Sequence, residues 1–283
     1  FFNQTNKFFT MSKKILIIGK NSFIAQNLYS YLIKKAYVKK IKYYDFFKKS
    51  KNYIIKFDYI INCTSNKNYI SKKYNTQNDH DYLIAKKISD LKTSMIFFST
   101  RKIYRPKYGI KENDLIQLKC HYSKNKYKSE KKLRKLLDKK LTILRISNVI
   151  GFKKKSKRSI HKTFVDIFFE NIKKNNVLKI SNEYKDFLTI KDLCNVIYRV
   201  IRYNLNGTYN VSLGKKIYLK RIIEWLNYYN QSKFKIINMK KYHNNDSFTL
   251  NNKKLLKRIN IKISINKLEK ECKEISKNFF RKK

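Results

Sequence analysis

The segment "KKILIIGKNSFIAQNLYSYLIKKA", residues 13–36, constrains the fold more than any other stretch. Consecutive aliphatic residues from Ile15 to Ile18 run into Gly19, and a pattern of helical period starts at about Ser22. A strand that is apolar on both faces must be covered on both sides, as the inner strands of a parallel sheet are. The same pattern recurs down the chain. "KIKYYD", ending at Asp45, predicts a second strand, "DYIINCTS" a third, "TSMIFFST" a fourth and "LTILRISNVIG" a fifth. Helical periodicity lies between them, notably over residues 77–92 and 122–138. This alternation predicts an α/β protein: a doubly wound parallel sheet with helices on both faces and right-handed crossovers.

After about residue 151 the elements become shorter. "IHKTFVDIFFENIKK" has a helical pattern, "VLKIS" and "DFLTI" suit short strands, and helices are expected over 191–203, 217–229 and 265–279. No Pro/Gly-rich linker divides the chain, so the second part is expected to pack on the first. The expected organisation is an N-terminal extension over 1–12, a domain built on the parallel sheet over 13–150 and a smaller α/β lobe over 151–283. Met11 directly precedes the first strand, and residues 1–10 are expected to play no part in the fold.

The net charge of +49 suits a partner for polyanions. However, the basic residues are spread over the whole chain instead of forming one patch. Lys, Asn, Ile, Tyr and Phe are all abundant while Gly numbers 5 and Pro 1, which is the mark of a compositional bias. No specific nucleic-acid partner is therefore expected. No apolar run approaches the ~20 residues of a membrane span, and the opening "FFNQTNKFFT" is a poor signal peptide. Cys63, Cys120, Cys194 and Cys272 form no CxxC, which suits reduced thiols in a cytoplasm. His80, His121, His161 and His243 show no metal-ligand spacing, and no metal is expected.

Gly19 stands where a strand hands over to a helix, the place at which free backbone N–H groups and the helix dipole receive a pyrophosphate. In the run Gly19 to Ala25 only the first glycine of a GxxGxxG pattern is present, with small Ser22 and Ala25 at the other two places. Asp45, 26 residues after Gly19, is positioned to accept bonds from an adenosine ribose, which favours NAD. Lys48 and Lys49 follow it and suit a 2′-phosphate, so the cofactor is read as NAD or NADP. On helical spacing, Tyr122, Lys126 and Glu130 share one face.

These features, in this order, resemble the extended short-chain dehydrogenase/reductases, in their NAD-dependent epimerase/dehydratase branch acting on nucleotide sugars. "IINCTS" is similar to the family's Asn-Ala-Ala strand end, carried by Asn62, Cys63 and Thr64. "FFSTRKIYR" looks like its Ser/Thr-x-x-x-Tyr segment, with Thr100 and Tyr104. "HYSKNKYKSE" matches Tyr-x-x-x-Lys with a trailing Glu. "RISNVIG" resembles Arg-x-x-Asn-Val-x-Gly through Arg145, Asn148 and Gly151. "KDFLTIKDL" resembles Arg-Asp-Phe-x-x-Val-x-Asp, with Lys185 for the arginine, then Asp186 and Asp192. "GTYNVSLG" resembles the family's Gly-x-Tyr-Asn-Val. The resemblance spans residues 13–280 and implies a Rossmann-type fold with a C-terminal substrate lobe.

By this resemblance Thr100, Tyr122 and Lys126 are the catalytic set. Gly19, Ser22, Phe23, Ile24, Asp45, Cys63, Thr64 and Lys126 bind the dinucleotide, while Asn148 and Lys185 meet the nucleotide-sugar substrate. An ordinary tyrosine has a pKa near 10, and a lysine ammonium beside it favours the phenolate. Tyr122 would then exchange a proton with a sugar oxygen while hydride moves to or from the nicotinamide. Glu130 is read as a surface partner on its helix, while Asp186 and Asp192 suit a structural role at strand and helix termini as well as a functional one. Family members often dimerise, which makes a homodimer possible here.

Two departures narrow the reaction. Arg101 and Lys102 follow Thr100 where the family's 4,6-dehydratases carry an Asp-Glu pair, so elimination of water is disfavoured. Between Asp45 and Asp58 there is room for one short helical crossover but not for the family's usual extra strand. The expected function is a 4-keto-sugar reductase or epimerase. The competing reading is a non-catalytic dinucleotide- or RNA-binding relative.

Overall fold

The computed structural model describes residues 13–151, 164–175, 177–231, 235–239 and 246–280. The extension 1–12 expected from the sequence, together with His161 and His243, lies outside the described residues. The chain opens with β1 (Lys14–Ile18), α1 (Phe23–Leu32), β2 (Tyr37–Ile41), α2 (Tyr43–Phe47), α3 (Lys51–Ile54) and β3 (Tyr59–Asn62). It continues through α4 (Lys67–Ser71), α5 (His80–Ile88), β4 (Ser94–Thr100), α6 (His121–Leu137), β5 (Leu141–Ile146) and β6 (Asn148–Ile150). Then come α7 (Phe164–Asn175), β7 (Val177–Ser181), β8 (Tyr184–Lys185), β9 (Phe187–Thr189), α8 (Ile190–Arg202) and β10 (Gly207–Val211). The last elements are β11 (Ile217–Tyr218), α9 (Leu219–Leu226), β12 (Lys235–Met239), α10 (Lys253–Ile259) and α11 (Ile265–Phe280).

Side chains alternate across the strands, which builds a core on each face of the sheet. Ile15 and Ile17 of β1 join Ile61, Ile96 and Leu144 beneath Leu28 of α1 and Leu193, Ile197 and Val200 of α8. Leu16 and Ile18 point the other way, with Ile60, Met95, Phe97 and Ile143, against Ile84 and Ile88 of α5 and Leu133 and Leu137 of α6. The six strands run parallel in the order β10-β5-β4-β3-β1-β2. A Rossmann-type doubly wound sheet results, as expected. A third core, with Phe168, Phe187, Ile222, Trp225, Leu268 and Cys272, holds the C-terminal elements together.

Three expectations change. The second strand spans Tyr37–Ile41, not "KIKYYD", because its five residues pair one for one with the five of β1, from Lys14↔Tyr37 to Ile18↔Ile41. Asp45 therefore does not end a strand but lies in the first turn of α2, where a carboxylate favours the helix dipole. The fifth run divides into β5 in the main sheet and β6, which pairs with β9. "GTYNV", expected in the second lobe, returns as β10 beside β5, so residues 13–150 do not contain the whole sheet. Between β2 and β3 stand only the short helices α2 and α3, which leaves β2 at the sheet edge.

Candidate active site

Gly19 follows β1 with a φ of +110°, a conformation that L side chains rarely adopt. Its N–H and that of Lys20 both donate to the Ile41 carbonyl, at 2.9 and 3.3 Å, which fixes the turn to the end of β2. Ser22 then caps α1, its Oγ accepting from the Ala25 N–H at 3.1 Å. A Cβ on Gly19 would come 2.7 Å from Thr64 Cγ2 and 3.1 Å from the Cys63 carbonyl carbon. The fold thus brings Gly19, Ser22, Phe23, Ile24, Cys63 and Thr64 to one end of the sheet. Such a bare backbone surface at a helix N-terminus fits a pyrophosphate. Asp45 lies in the first turn of α2, four residues beyond the Ile41 carbonyl that holds the Gly19 turn.

Thr100 closes β4 and accepts from the Lys102 N–H at 3.2 Å. Helix α6 starts after Cys120, whose N–H donates to Ser123 Oγ at 3.2 Å. The inward face of α6 changes character along its length. Ser123, Asn125, Lys126, Ser129 and Glu130 are buried in its first half, while Leu133 and Leu137 reach the core in its second. Tyr122 is half-buried in the first turn and Lys126 lies one turn on. The Lys126 ammonium sits 4.5 Å from the centre of the Phe97 ring in β4, which places it over the strand that ends in Thr100. The three candidate catalytic residues therefore stand at the carboxyl end of the sheet, where open α/β folds bind ligands.

Lys126 has a buried partner that the sequence did not announce. Its Nζ is 3.3 Å from Asp81 Oδ2, and the two side chains are 8% and 7% exposed. Asn62 Nδ2 donates to the other Asp81 oxygen at 2.7 Å, and Asn62 Oδ1 accepts from the Thr64 hydroxyl at 2.7 Å. Burial pulls the Lys126 pKa down, but Asp81, Tyr122 and Asp79 outweigh it and hold it above the ordinary lysine value. His80 stacks on Tyr43 at 3.6 Å between ring centres, and Thr64 Oγ1 is 2.9 Å from its Nδ1. Burial lowers His80 to about 4, so the ring is neutral at physiological pH. Asp79 and Asp81 were missed because their buried partners Ser129 and Lys126 lie far away in sequence, while Asn62 was named only as part of a strand-end motif. The one local signal was Asp79, which caps α5 by accepting from the Tyr82 N–H at 3.0 Å.

Glu130 is not a surface partner. It is 1% exposed and holds the buried Arg145 through two bonds, Nε–Oε1 at 3.0 Å and NH2–Oε2 at 2.6 Å. Ser99 Oγ adds a third contact at 2.5 Å, and Arg145 also reaches Tyr104 Oη at 2.7 Å. This network ties β4, β5 and α6 together behind Thr100.

Of the expected substrate residues, Asn148 donates its Nδ2 to the Asp186 carbonyl at 3.2 Å. The Lys185 Nζ lies 2.8 Å from Glu183 Oε2 and 3.1 Å from Asp246 Oδ2. Asp246 is also held by both terminal nitrogens of Arg101, at 2.7 and 2.6 Å, with the guanidinium stacked 3.9 Å over Phe248. Burial would raise Asp246, but Arg101 and then Lys185 bring it down to about 2. Asp186 ties three chain segments together. It accepts from the backbone N–H groups of Leu213, Gly214 and Leu250 at 2.9–3.2 Å. Asp192 is structural too, its backbone N–H donating to Thr189 Oγ1 at 2.9 Å.

The model of the NAD dependent epimerase/dehydratase family matches residues 15–212, more than half of the chain. The chain belongs to that family. The cofactor is accordingly NAD or NADP. No curated protein matches by sequence. Among solved structures, the fold is similar to that of the UDP-N-acetylglucosamine 4-epimerase from Methanobrevibacter ruminantium M1 in complex with UDP-N-acetylmuramic acid. That likeness has a TM-score of 0.80 at 18% identity and covers 95% of this chain and 98% of the epimerase. A dTDP-4-dehydrorhamnose reductase from Clostridium acetobutylicum ATCC 824 aligns with a TM-score of 0.72 at 17% identity, over 94% and 99% of the two chains. The Bordetella bronchiseptica enzyme WbmG in complex with NAD gives 0.74 at 15% identity, over 95% of each. At these identities the likeness speaks for the fold. No described helix is long and apolar enough to cross a membrane.

Proposed function

We propose that the protein is an NAD(P)-dependent oxidoreductase acting on a nucleotide-activated sugar, as a 4-keto-sugar reductase or epimerase. The observation that carries this reading is Tyr122 one helical turn before a buried Lys126, above the end of the strand that closes with Thr100. Bound in the crevice, the dinucleotide supplies or accepts the hydride. Tyr122 exchanges the proton with the sugar oxygen. Thr100 already accepts from Lys102, so its O–H is the part that meets the same oxygen. Lys126 gives one of its three hydrogens to Asp81 and has others for the nicotinamide ribose.

The backbone at Gly19, Ser22, Phe23 and Ile24 receives the pyrophosphate, with Cys63 and Thr64 on the opposite wall. Asn148 and Lys185 line the substrate side, and a substrate phosphate competes with Asp246 for Lys185. Arg101, in bidentate contact with Asp246, is no proton donor or acceptor, which speaks against dehydration at that position.

The test is Tyr122→Phe combined with a thermal-shift screen of NAD, NADP and UDP-, dTDP- and GDP-sugars. Turnover should fall by about 10²–10⁴-fold with dinucleotide binding retained. Unchanged turnover removes the assignment. The substrate follows from whichever sugar nucleotide gives a selective shift. The RNA-binding alternative predicts RNA retention at ~200 mM salt without any dinucleotide shift.

A further inference from the structure

Burial between aromatic walls strips a lysine ammonium of water, and a carboxylate beside it offsets that cost. Here the walls are Phe97 of β4, 4.5 Å from the Lys126 ammonium, and Tyr69 of α4 at 5.6 Å. The counter-charge is Asp81 from the first turn of α5. This carboxylate is not free to swing, since Asn62 at the end of β3 holds its second oxygen at 2.7 Å. Strand and helix thus clamp one acid between them, with one oxygen spent on the tether and one on the ammonium.

The other charges facing this pair are few. Asp79 of α5 is pushed above the ordinary carboxylate range by burial and by Asp81. Its oxygens are occupied by Ser129 at 2.5 Å, Tyr74 at 2.9 Å and the Tyr82 N–H at 3.0 Å. His80 is neutral. Tyr69 lies close enough to feel Tyr122, and beyond Tyr122 the next groups are Cys120 and, beside it, Lys102. Lys126 and Asp81 therefore form the paired charges behind Tyr122, and Asp79 adds to the negative side of the balance.

We infer that Asp81 is a positioning residue that holds the Lys126 ammonium and balances its charge, so that Tyr122 serves as proton donor in carbonyl reduction. This rests on the reading of Tyr122 as the acid/base group. A lone ammonium would favour the phenolate, the form required to take a proton from an alcohol. A balanced pair favours the phenol, the form required to give one. In the step this supports, the carbonyl carbon gains hydride from the reduced nicotinamide. The π pair moves onto oxygen, and Tyr122 delivers its proton there. Solvent then restores the phenol.

The experiment is the pH profile of kcat/KM for reduction in wild type, Asp81→Asn and Asp81→Glu, with dinucleotide affinity measured alongside. Removing the carboxylate should move the alkaline limb to lower pH by about one unit, a tenfold loss on that limb. Asp81→Glu keeps the charge and should restore the limb. Should the asparagine variant fail to fold, Asp81→Ser reads the same limb from a smaller side chain. An unmoved limb in a folded variant, with only thermal stability lost, overturns the inference and leaves Asp81 as a structural tie. Tyr122→Phe separates the two readings: if it keeps turnover, the acid/base assignment itself has failed, whatever Asp81 does.

Discussion

At the scale of single residues, two positions concentrate the constraints. Gly19 combines a φ of +110° with a wall 2.7 Å from where a Cβ would lie. Alanine there must displace Thr64 and strain the turn, at about 1–3 kcal/mol for the backbone alone. Gly19→Ala is expected to weaken NAD(P) binding at least tenfold by isothermal titration, and an unchanged Kd would contradict the pyrophosphate cradle. Glu130 is the second. Its bidentate hold on Arg145 lies at 1% and 5% side-chain exposure, where removing one partner strands the other charge. Glu130→Gln should lower unfolding stability by about 3–5 kcal/mol in a urea titration. A loss below ~1 kcal/mol would return it to the class of exposed helix pairs.

Among elements, Asp186 links β9 to the chain segments at Leu213 and Leu250, and burial lifts its carboxyl to about 7 against the bonds it accepts. The folded state therefore keeps a proton that the unfolded chain loses near pH 4. Native protein binds the extra proton between roughly pH 4 and 7, so this group's contribution to stability falls as pH rises through that window. Thermal unfolding across it should show a weaker decline in Asp186→Asn than in wild type; equal slopes would refute the assignment. The elements themselves were legible where aliphatic runs alternate with helical periods, as in β1, β3, β4 and α6. The end of β2 was not, because Lys and Tyr fill strand and helix alike in "YVKKIKYYD", and only pairing with β1 decides where the strand stops. "GTYNV" reads as a strand, but its place beside β5 is set by contacts across 65 residues, as in Gly207↔Thr142. The Tyr122–Lys126 spacing was visible for the opposite reason, being local. Asp81 was invisible because its partners Asn62 and Lys126 stand 19 and 45 residues away.

For the whole molecule, the net charge of +49 acts as a diffuse positive field that attracts anionic ligands and repels itself. Added salt should raise the melting temperature from 10 to 150 mM, as the Debye length shrinks from about 30 to 8 Å. Random RNA retained at low salt should be released by ~200 mM while dinucleotide binding persists. RNA held through that range would favour a nucleic-acid role. The same surplus of lysine bears on the truncated border of the sheet. Among the described residues no further strand lies beyond it, and β2 offers an open row of backbone donors and acceptors to any passing extended peptide. Lys39 and Lys40 within β2, and Lys42 just after it, line that row with ammonium groups. Two such borders repel each other, a charge pattern that opposes edge-to-edge stacking of copies of this protein.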